Sequence, residues 1–445
     1  MIKWIFYKNN RINILFLLLL SIVFPSVFLV YKMNAIIISS ICILLYALLV
    51  NKEFSSYLIF LLLCLFPAQL NQYIVEAWGF SLDKYYLVIA ILTILCIYIN
   101  KYSVPRRWNI FSFLVLMIGF IFYISHDNYS EISSIIKFLV FSLGAYIFGY
   151  YDKNKIDDFF KYAEIIFYTV AIYVFSEYVF RISPYQDLYS YEEVYQMRAR
   201  GLLGHPLMLV GFLCIYELYL IFEIMVLKKK NTVKIGIFIF LCIITASRTM
   251  YIMFFIGLLL VFYFTRRNSV SKFFYLIVFC IFVGTILYLA NDYFLLAVER
   301  LAESGGSTTN RLAAYSIAWQ MFVNNPFGVG YTGFYQNLYS GSITISSFFE
   351  TELMDNTFLG FLINYGVLSI LFIFVLFLPL INFYKHKLIY DNYNYIIISY
   401  SIWILLQFSF SINLYPHILF GFYFLSGKIL NYFQHHGCIS NNCKL

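Results

Sequence analysis

Residues 304–330 read SGGSTTNRLAAYSIAWQMFVNNPFGVG and form the centre of one long polar break, 291–366, in an otherwise hydrophobic chain. Polar residues at 308–310 provide N-cap side chains for a helix that starts near Arg311. Apolar residues after them recur at steps of three or four, as on one face of an α-helix: Leu312, Tyr315, Trp319 and Phe322. The pattern predicts an amphipathic helix, headed by an arginine, between membrane-spanning segments.

A glycine-rich loop follows this predicted helix. The helix is expected to end at Asn324-Asn325-Pro326, and residues 327–333, FGVGYTG, have the composition of a turn. The break then closes on Glu350, Glu352 and Asp355, directly before a new apolar helix. An arginine-headed helix, a glycine loop and a cluster of acids between spans indicate a functional site on one face of the membrane.

The composition of the chain excludes a soluble globular protein. Of its 445 residues, 62% are hydrophobic and 12% are charged, whereas about a quarter of the residues in soluble domains are charged. The first apolar run, 12–30, has no small-residue cleavage site, so we expect a retained helix rather than a signal peptide. The histidines and cysteines show no recognised metal-ligand spacing. No metal, other cofactor or nucleic-acid partner is expected.

Windows of about 20 apolar residues predict an all-α, polytopic membrane protein with about 12–14 transmembrane helices. The segments that qualify are 12–30, 34–50, 55–71, 85–100, 108–125, 132–150, 160–180, 205–227, 235–247, 249–265, 273–290, 356–380, 393–411 and 417–433. If the N-terminus is cytoplasmic, 21 of the 30 Lys and Arg residues fall in cytoplasmic segments, as the positive-inside rule requires. Both termini are therefore predicted to be cytoplasmic, with residues 291–355 as one large extracytoplasmic loop.

Arginine dominates the few basic residues that this topology places outside, which are Lys32, Lys84, Arg181, Arg198, Arg200, Arg248, Arg300 and Arg311. A guanidinium group presents a planar fork that suits phosphate or carboxylate. Solvated loop charge is an equally good interpretation of Arg181 and Arg300. Ligand contact is the favoured interpretation of the other four: Arg198, Arg200, Arg248 and Arg311.

The position of Arg248 relative to Lys234 gives a second argument. Only 13 residues separate the two, which is about 20 Å of helix against roughly 30 Å of hydrocarbon core. Either the Lys234 side chain snorkels to the surface, or Arg248 sits below the outer surface and lines a polar cavity.

Three further charges fall inside predicted spans. Lys137 and Glu177 lie at similar depth on consecutive antiparallel spans, so they are predicted to pair. Glu217 falls near the middle of its span. A satisfied interhelical hydrogen bond and a role in transport or catalysis are equally good interpretations of Glu217.

Five motifs occur in order between residues 198 and 370. They are Arg198-Ala199-Arg200-Gly201 with Pro206, Ser247-Arg248-Thr249, Arg311 with Trp319, Asn325-Pro326-Phe327-Gly328-Val329-Gly330-Tyr331, and Asp355-Asn356-Thr357-Phe358-Leu359 with Tyr365-Gly366. Their order and spacing resemble the O-antigen ligase and polymerase superfamily, membrane glycosyltransferases that act on undecaprenyl-linked oligosaccharides. Ligases of this superfamily carry a histidine before the asparagine, where this chain has Asp355. That departure favours a repeat-unit polymerase over a ligase.

The resemblance implies an enzyme that joins undecaprenyl-pyrophosphate-linked repeat units into O-antigen, capsule or exopolysaccharide at the outer face of a bacterial cytoplasmic membrane. Arg248 and Arg311 are then expected to stabilise the departing pyrophosphate. Arg198 and Arg200 are expected to bind donor or acceptor phosphate. Transfer also needs a base for the acceptor hydroxyl proton.

Asp355 is the expected base, with Glu350 or Glu352 as alternatives. Because aspartate is a preferred N-cap, capping of the following helix is an equally good interpretation of Asp355. The implied substrate contacts further include Trp319, Gly328, Gly330, Tyr331 and Asn356. A membrane-interface anchor is an alternative for Trp319, and a permissive turn backbone is favoured for the two glycines.

The chain is expected to divide into N-terminal membrane helices, 1–180, and a ligase/polymerase-like region, 181–445. Two other functions remain open: a ligase that transfers glycan to another acceptor, and a flippase or transporter for the lipid-linked oligosaccharide. A flippase would place its charges in a central cavity, whereas this chain concentrates arginine outside. The expected partners are the lipid bilayer, the lipid-linked oligosaccharides, a chain-length regulator and a flippase.

Overall fold

The computed structural model describes residues 55–65, 82–103, 106–126, 130–180, 199, 201–203, 206–229, 232–245, six positions between 250 and 257, 318–330, 356–385, 388–409 and 416–440. Within these ranges the regular elements are helices, and none of the residues forms a strand. The predicted all-α class is confirmed.

Twelve α-helices have both ends within the described ranges: α1 Ser55–Leu65, α2 Leu82–Ile99, α3 Arg106–His126, α4 Ser130–Leu139, α5 Ala145–Tyr151, α6 Ile156–Phe180, α7 Pro206–Met225, α8 Thr232–Ile244, α9 Thr357–Tyr365, α10 Ser369–Lys385, α11 Leu388–Ser409 and α12 Pro416–Ser440. A π-helical turn, Val140–Gly144, joins α4 to α5, and short 3₁₀ turns span Gly201–Leu203 and Gly366–Leu368. Residues 318–324 are also helical.

Five of the described helical stretches are long and apolar enough to cross a membrane: Trp108–Ser125, Ile132–Tyr151, Ile156–Phe180, Met208–Met225 and Thr357–Lys385. Shorter apolar helices accompany them at Ser55–Cys64, Tyr86–Ile99, Thr232–Ile244 and Asn394–Phe408. These helices confirm a polytopic membrane protein. The predicted spans 12–30, 34–50 and 273–290 lie outside the described residues.

One end of the helix bundle, which we call the charged end, is held by buried ionic contacts. Lys428 of α12 lies 3.1 Å from the Asp152 carboxylate, which also accepts a hydrogen bond of 2.6 Å from the Tyr57 hydroxyl. Lys234 of α8 forms ion pairs with Glu164 and Glu223. The Asp152 contacts join the start of α1 and the middle of α12 to the segment between α5 and α6. The Lys234 contacts join the start of α8 to α6 and to the end of α7.

Glycine lets α5 and α12 approach at backbone distance. A side chain at Gly149 would collide with the carbonyl oxygen of Phe424, and one at Gly427 would collide with that of Tyr146. Close contact through small residues is a common way for helices to associate in membranes, where the hydrophobic effect does not drive them together. Since α5 precedes residue 180 and α12 follows residue 181, the two predicted regions of the chain share one core.

Candidate functional site

The opposite end of the bundle, which we call the site end, is built around a break in the Thr357–Lys385 span. Gly366, with φ +53°, separates α9 from α10. The loop 325–330 packs into this break through two backbone hydrogen bonds, from Val367 N to Pro326 O at 2.8 Å and from Val329 N to Ile363 O at 3.1 Å. Backbone groups freed by a break inside a membrane protein need such partners, because lipid offers none.

Two glycines make this close packing possible. Gly328 has φ +89°, and a side chain there would collide with the carbonyl oxygen of Asn364. A side chain at Gly366 would collide with the carbonyl oxygen of Pro326. Gly330 also has a positive φ, +73°. The N-P-F-G-V-G motif therefore provides the backbone shape that docks the loop on the broken helix.

Aromatic side chains fix the orientation of α9. Its aromatic residues are spaced by about one helical turn, and each contacts an aromatic ring on a different helix. The contacts are Phe358 with Phe408 at 5.0 Å, Phe361 with Phe138 at 5.4 Å and Tyr365 with Phe122 at 5.6 Å between ring centroids. Phe122 and Phe138 belong to the N-terminal third of the chain, which sequence reasoning did not connect with the site. The aromatic repeat in 358–365 was the signal that could have indicated a packed helix.

Asn356 is the N-cap of α9. Its side-chain oxygen accepts a hydrogen bond of 3.0 Å from the N–H of Leu359, and its own carbonyl oxygen accepts one from Gly360 N at 2.9 Å. The N-cap interpretation of Asp355 is therefore wrong, because the next residue has that role. Asn356 is also buried, so its amide is engaged in holding the helix that follows Asp355.

A second segment, 199–203, is fixed at the site end between α6 and α8. The N–H of Ala199 donates to the carbonyl oxygen of Ile244 at 3.2 Å. The N–H of Gly201 donates to a carboxylate oxygen of Glu177 at 2.6 Å. Gly201 has φ +57°, and a side chain there would collide with Val174. Glu177 thus accepts a hydrogen bond from a backbone group of the arginine motif, which sequence reasoning did not anticipate, and its pairing with Lys137 stays a prediction.

The depth of these contacts bears on whether the Lys234 side chain snorkels to the surface or Arg248 lies below the outer surface. Along α6, the 13 residue steps from Glu164, the partner of Lys234, to Glu177 correspond to about 20 Å. The hydrocarbon core is roughly 30 Å thick, so the two contact layers do not both reach its boundaries. Exposed ion pairs, Lys229 with Asp157 and Lys161 with Asp158, occupy the first turns of α6 before Glu164.

We place the hydrocarbon core between the exposed pairs and the end of α6. From Asp158 to Phe180 the helix advances by 22 residue steps, or about 33 Å. Lys234 is satisfied by carboxylates inside the bundle, whereas Arg248 lies outside the described residues and its depth stays a prediction.

The predicted site residues divide into two groups. Trp319, Gly328, Gly330 and Asn356 are described, and the structure brings Gly328 against the turn that follows α9. The others lie outside the described residues: Arg198, Arg200, Arg248, Arg311, Tyr331, Glu350, Glu352 and Asp355. Their neighbours in sequence at 199, 201, 330 and 356 all lie at the site end. The described part of the chain holds no group of three His, Cys, Asp or Glu side chains that could bind a metal ion.

Glu217 is buried in α7, as predicted, and its environment is apolar. One carboxylate oxygen, Oε2, has no hydrogen-bond partner in the part of the chain that the structure describes. A side chain at Gly257 would collide with the other oxygen, so that glycine makes room for the carboxyl group. A satisfied interhelical hydrogen bond does not account for Oε2.

Part of the chain matches a known protein family. Residues 235–374 match the family model described as O-antigen ligase. This range contains the glycine loop, its docking site on the broken helix and four of the five motifs in full, including the one with Arg248. No curated protein and no solved structure matches the chain. The family match places this part of the chain in the O-antigen ligase/polymerase superfamily.

Proposed function

We propose that this protein is a membrane glycosyltransferase that polymerises undecaprenyl-pyrophosphate-linked oligosaccharide repeat units at the outer face of a bacterial cytoplasmic membrane. The observation that carries the proposal is the docking of the 325–330 loop on the break at Gly366. This contact brings the family's glycine motif beside the helix that begins directly after Asp355. The 181–445 region would contain the reaction site, and residues 1–180 would support it through α3, α4 and α5.

The chemistry that such a site must perform is glycosyl transfer. A hydroxyl oxygen of the acceptor attacks the anomeric carbon of the donor, and the bond from that carbon to the pyrophosphate oxygen breaks. The hydroxyl proton passes to a base, for which Asp355 is the first choice and Glu350 or Glu352 the alternative. The departing pyrophosphate takes the electron pair of the broken bond, and the guanidinium groups of Arg248 and Arg311 offset its charge.

The position of the 199–203 segment supports a role for the adjacent arginines. Ala199 is hydrogen-bonded to Ile244, the last residue of α8, and Gly201 to Glu177, three residues before the end of α6. Arg198 and Arg200 flank Ala199 in sequence, and a long guanidinium side chain that starts near this position can snorkel to the level of the lipid phosphates. Guanidinium groups there can bind the phosphates of the donor or of the acceptor in bidentate fashion.

A ligase that transfers the glycan to another acceptor is the second function to consider, because the matching family model carries that description. Asp355 replaces the histidine that ligases of the superfamily carry, which favours polymerisation. The products distinguish the two. A polymerase lengthens chains when lipid-linked repeats are the sole substrate, whereas a ligase requires a different acceptor.

The test is complementation of a strain that lacks this protein. Arg248→Ala and Arg311→Ala should accumulate single lipid-linked repeats, because each change removes about two to three orders of magnitude in rate. Arg→Lys retains the charge but not the fork, so it should be impaired less. Arg300→Ala, on a residue interpreted equally well as a solvated charge, is the matched control. Full-length polymer from both alanine variants at normal protein amounts would contradict the proposal.

A further inference from the structure

The helical segment 318–324 divides its circumference into three sectors. At 100° per residue, Ala318 and Met321 lie on one side, and both are buried. Trp319 and Val323 lie on a second side and are 60% and 56% exposed. Gln320 and Asn324 occupy the third side, which is polar and also exposed. A helix with separate protein-facing, apolar exposed and polar exposed sides fits a position where protein, lipid and water meet.

The apolar side continues beyond the helix onto the surface of a membrane span. Phe327, 71% exposed, follows Val323 by four residues. Its neighbour Pro326 accepts the hydrogen bond from Val367, and Val367 and Ile370 are exposed on the Thr357–Lys385 span. Exposed apolar side chains on a membrane span face lipid. The ridge formed by Trp319, Val323 and Phe327 is therefore continuous with a lipid-facing surface.

Helix length places this junction near the membrane boundary. From Gly366 to Lys385, the basic residue in the last turn of α10, the chain advances by 19 residue steps. That is about 29 Å, close to the thickness of the hydrocarbon core. A second contact agrees, because Tyr365 packs on Phe122, which lies only four residues before the end of α3. Gly366, and the loop bonded to its turn, thus lie within a few ångströms of the boundary.

We propose that Trp319, Val323 and Phe327 form a ridge that inserts into the lipid bilayer at the headgroup–acyl boundary. Tryptophan and phenylalanine on one side of a short amphipathic helix favour this depth, where an apolar face penetrates by about 5–10 Å. The ridge would hold the glycine loop at the level of lipid phosphates. The sequence left two interpretations of Trp319, sugar stacking and a membrane-interface anchor. The ridge assigns Trp319 to the membrane interface.

Fluorescence quenching in lipid nanodiscs tests the proposal with the full chain. The Trp319 signal is obtained as the difference between the wild type and Trp319→Phe. We expect lipids brominated near the headgroup to quench this signal strongly and aqueous iodide to quench it weakly. Strong quenching by iodide would place Trp319 in an aqueous vestibule, and resistance to both quenchers would place it under another part of the protein. Either result would overturn the proposal.

Spin labels at single positions provide a second measurement that does not depend on Trp319. We expect labels at Val323→Cys and Phe327→Cys to be accessible to oxygen. Labels at Gln320→Cys and Asn324→Cys should be accessible to a polar nickel complex. A label at Met321→Cys should be shielded from both reagents. The parent with Cys438 and Cys443 replaced by serine measures background labelling. Equal nickel accessibility at 320 and 323 would overturn the three-sector arrangement. Because neither measurement uses polymer formation, failure here leaves the proposed enzymatic function standing.

Discussion

The N–H of Val367 donates a hydrogen bond of 2.8 Å to the carbonyl oxygen of Pro326, and this bond ties the glycine loop to the break in a membrane span. On the other side of the break, the carbonyl oxygen of Ile363 accepts a hydrogen bond from the N–H of Val329. Each bond satisfies a backbone group that the interrupted helix leaves unpaired. An unpaired group is costly in a membrane, because lipid offers no hydrogen-bond partner. The loop is therefore part of the span's structure.

Gly366→Ala and Gly328→Ala should each destabilise the folded protein by at least about 2 kcal/mol. Both positions have positive φ, and a side chain at either collides with backbone. Gly360→Ala in α9 is the matched control, because a side chain there meets none of the described residues within 4 Å. The measurement is the melting temperature of the purified protein in detergent. If the Gly366 and Gly360 variants have the same melting temperature, the loop is not docked as described.

Lys428→Met should cost about 3–5 kcal/mol, because it leaves the Asp152 carboxylate buried without its cation. Lys428 lies 3.1 Å from Asp152, and both side chains are almost fully buried. Lys229→Met is the control: its pair with Asp157 is exposed, and such pairs contribute at most about 1 kcal/mol. The double variant Lys428→Met/Asp152→Asn should recover part of the loss. Thermal unfolding with no difference between the two lysine variants would argue against a buried pair.

Glu177→Gln should be tolerated, whereas Glu177→Leu should lower the amount of folded protein. Glutamine keeps an oxygen that can accept the hydrogen bond from Gly201 N, now 2.6 Å from the carboxylate. Leucine leaves that N–H without its acceptor, which costs about 1–3 kcal/mol. The readout is the monodisperse fraction after detergent extraction. Strong damage from the glutamine variant alone would instead favour the charge pairing with Lys137 that the sequence suggested.

Local patterns in the sequence predict much of the fold, and long-range contacts account for what they miss. Apolar runs identify the helices because a membrane imposes both length and composition. The docking of Gly328 against the turn at Gly366 has no local signal, since it depends on how two distant segments pack. The similar depth of Lys137 and Glu177 does not specify how each helix is rotated. For this reason the sequence did not predict that Glu177 accepts a hydrogen bond from Gly201. Adjacent Asp355 and Asn356 are both good N-cap types, so sequence alone does not select between them.

The predicted topology can be tested through Ser307, which lies in the loop 291–355 and outside the described residues. Ser307→Cys should react with a membrane-impermeant thiol reagent on intact cells, or on spheroplasts where an outer membrane is present. Ser269→Cys, in a predicted cytoplasmic segment, should react only after lysis, and the parent protein reports labelling of the native cysteines. The reverse pattern would invert the protein and move the proposed site to the inner face.

Asn356→Ala separates the cap of α9 from the proposed base beside it. Loss of the hydrogen bond between Asn356 and Leu359 N should cost about 1 kcal/mol of stability, while Asn356→Asp and Asn356→Ser retain a capping oxygen. All three variants keep Asp355. We expect the alanine variant to melt at a lower temperature than the other two, with polymer formation reduced only as far as the amount of folded protein is reduced. Loss of polymer from a well-folded Asn356→Asp would instead assign the amide a direct contact with substrate.

Asp355→Asn then tests the base itself. Because Asn356 caps the helix, replacing the carboxylate of Asp355 removes a proton acceptor without removing the cap. If Asp355 takes the acceptor proton, the rate should fall by about two to four orders of magnitude, and single lipid-linked repeats should accumulate at normal protein amounts and an unchanged melting temperature. Wild-type polymer from Asp355→Asn would reject it as the base. The same assay applied to Glu350→Gln and Glu352→Gln would then decide which of these two carboxylates accepts the proton.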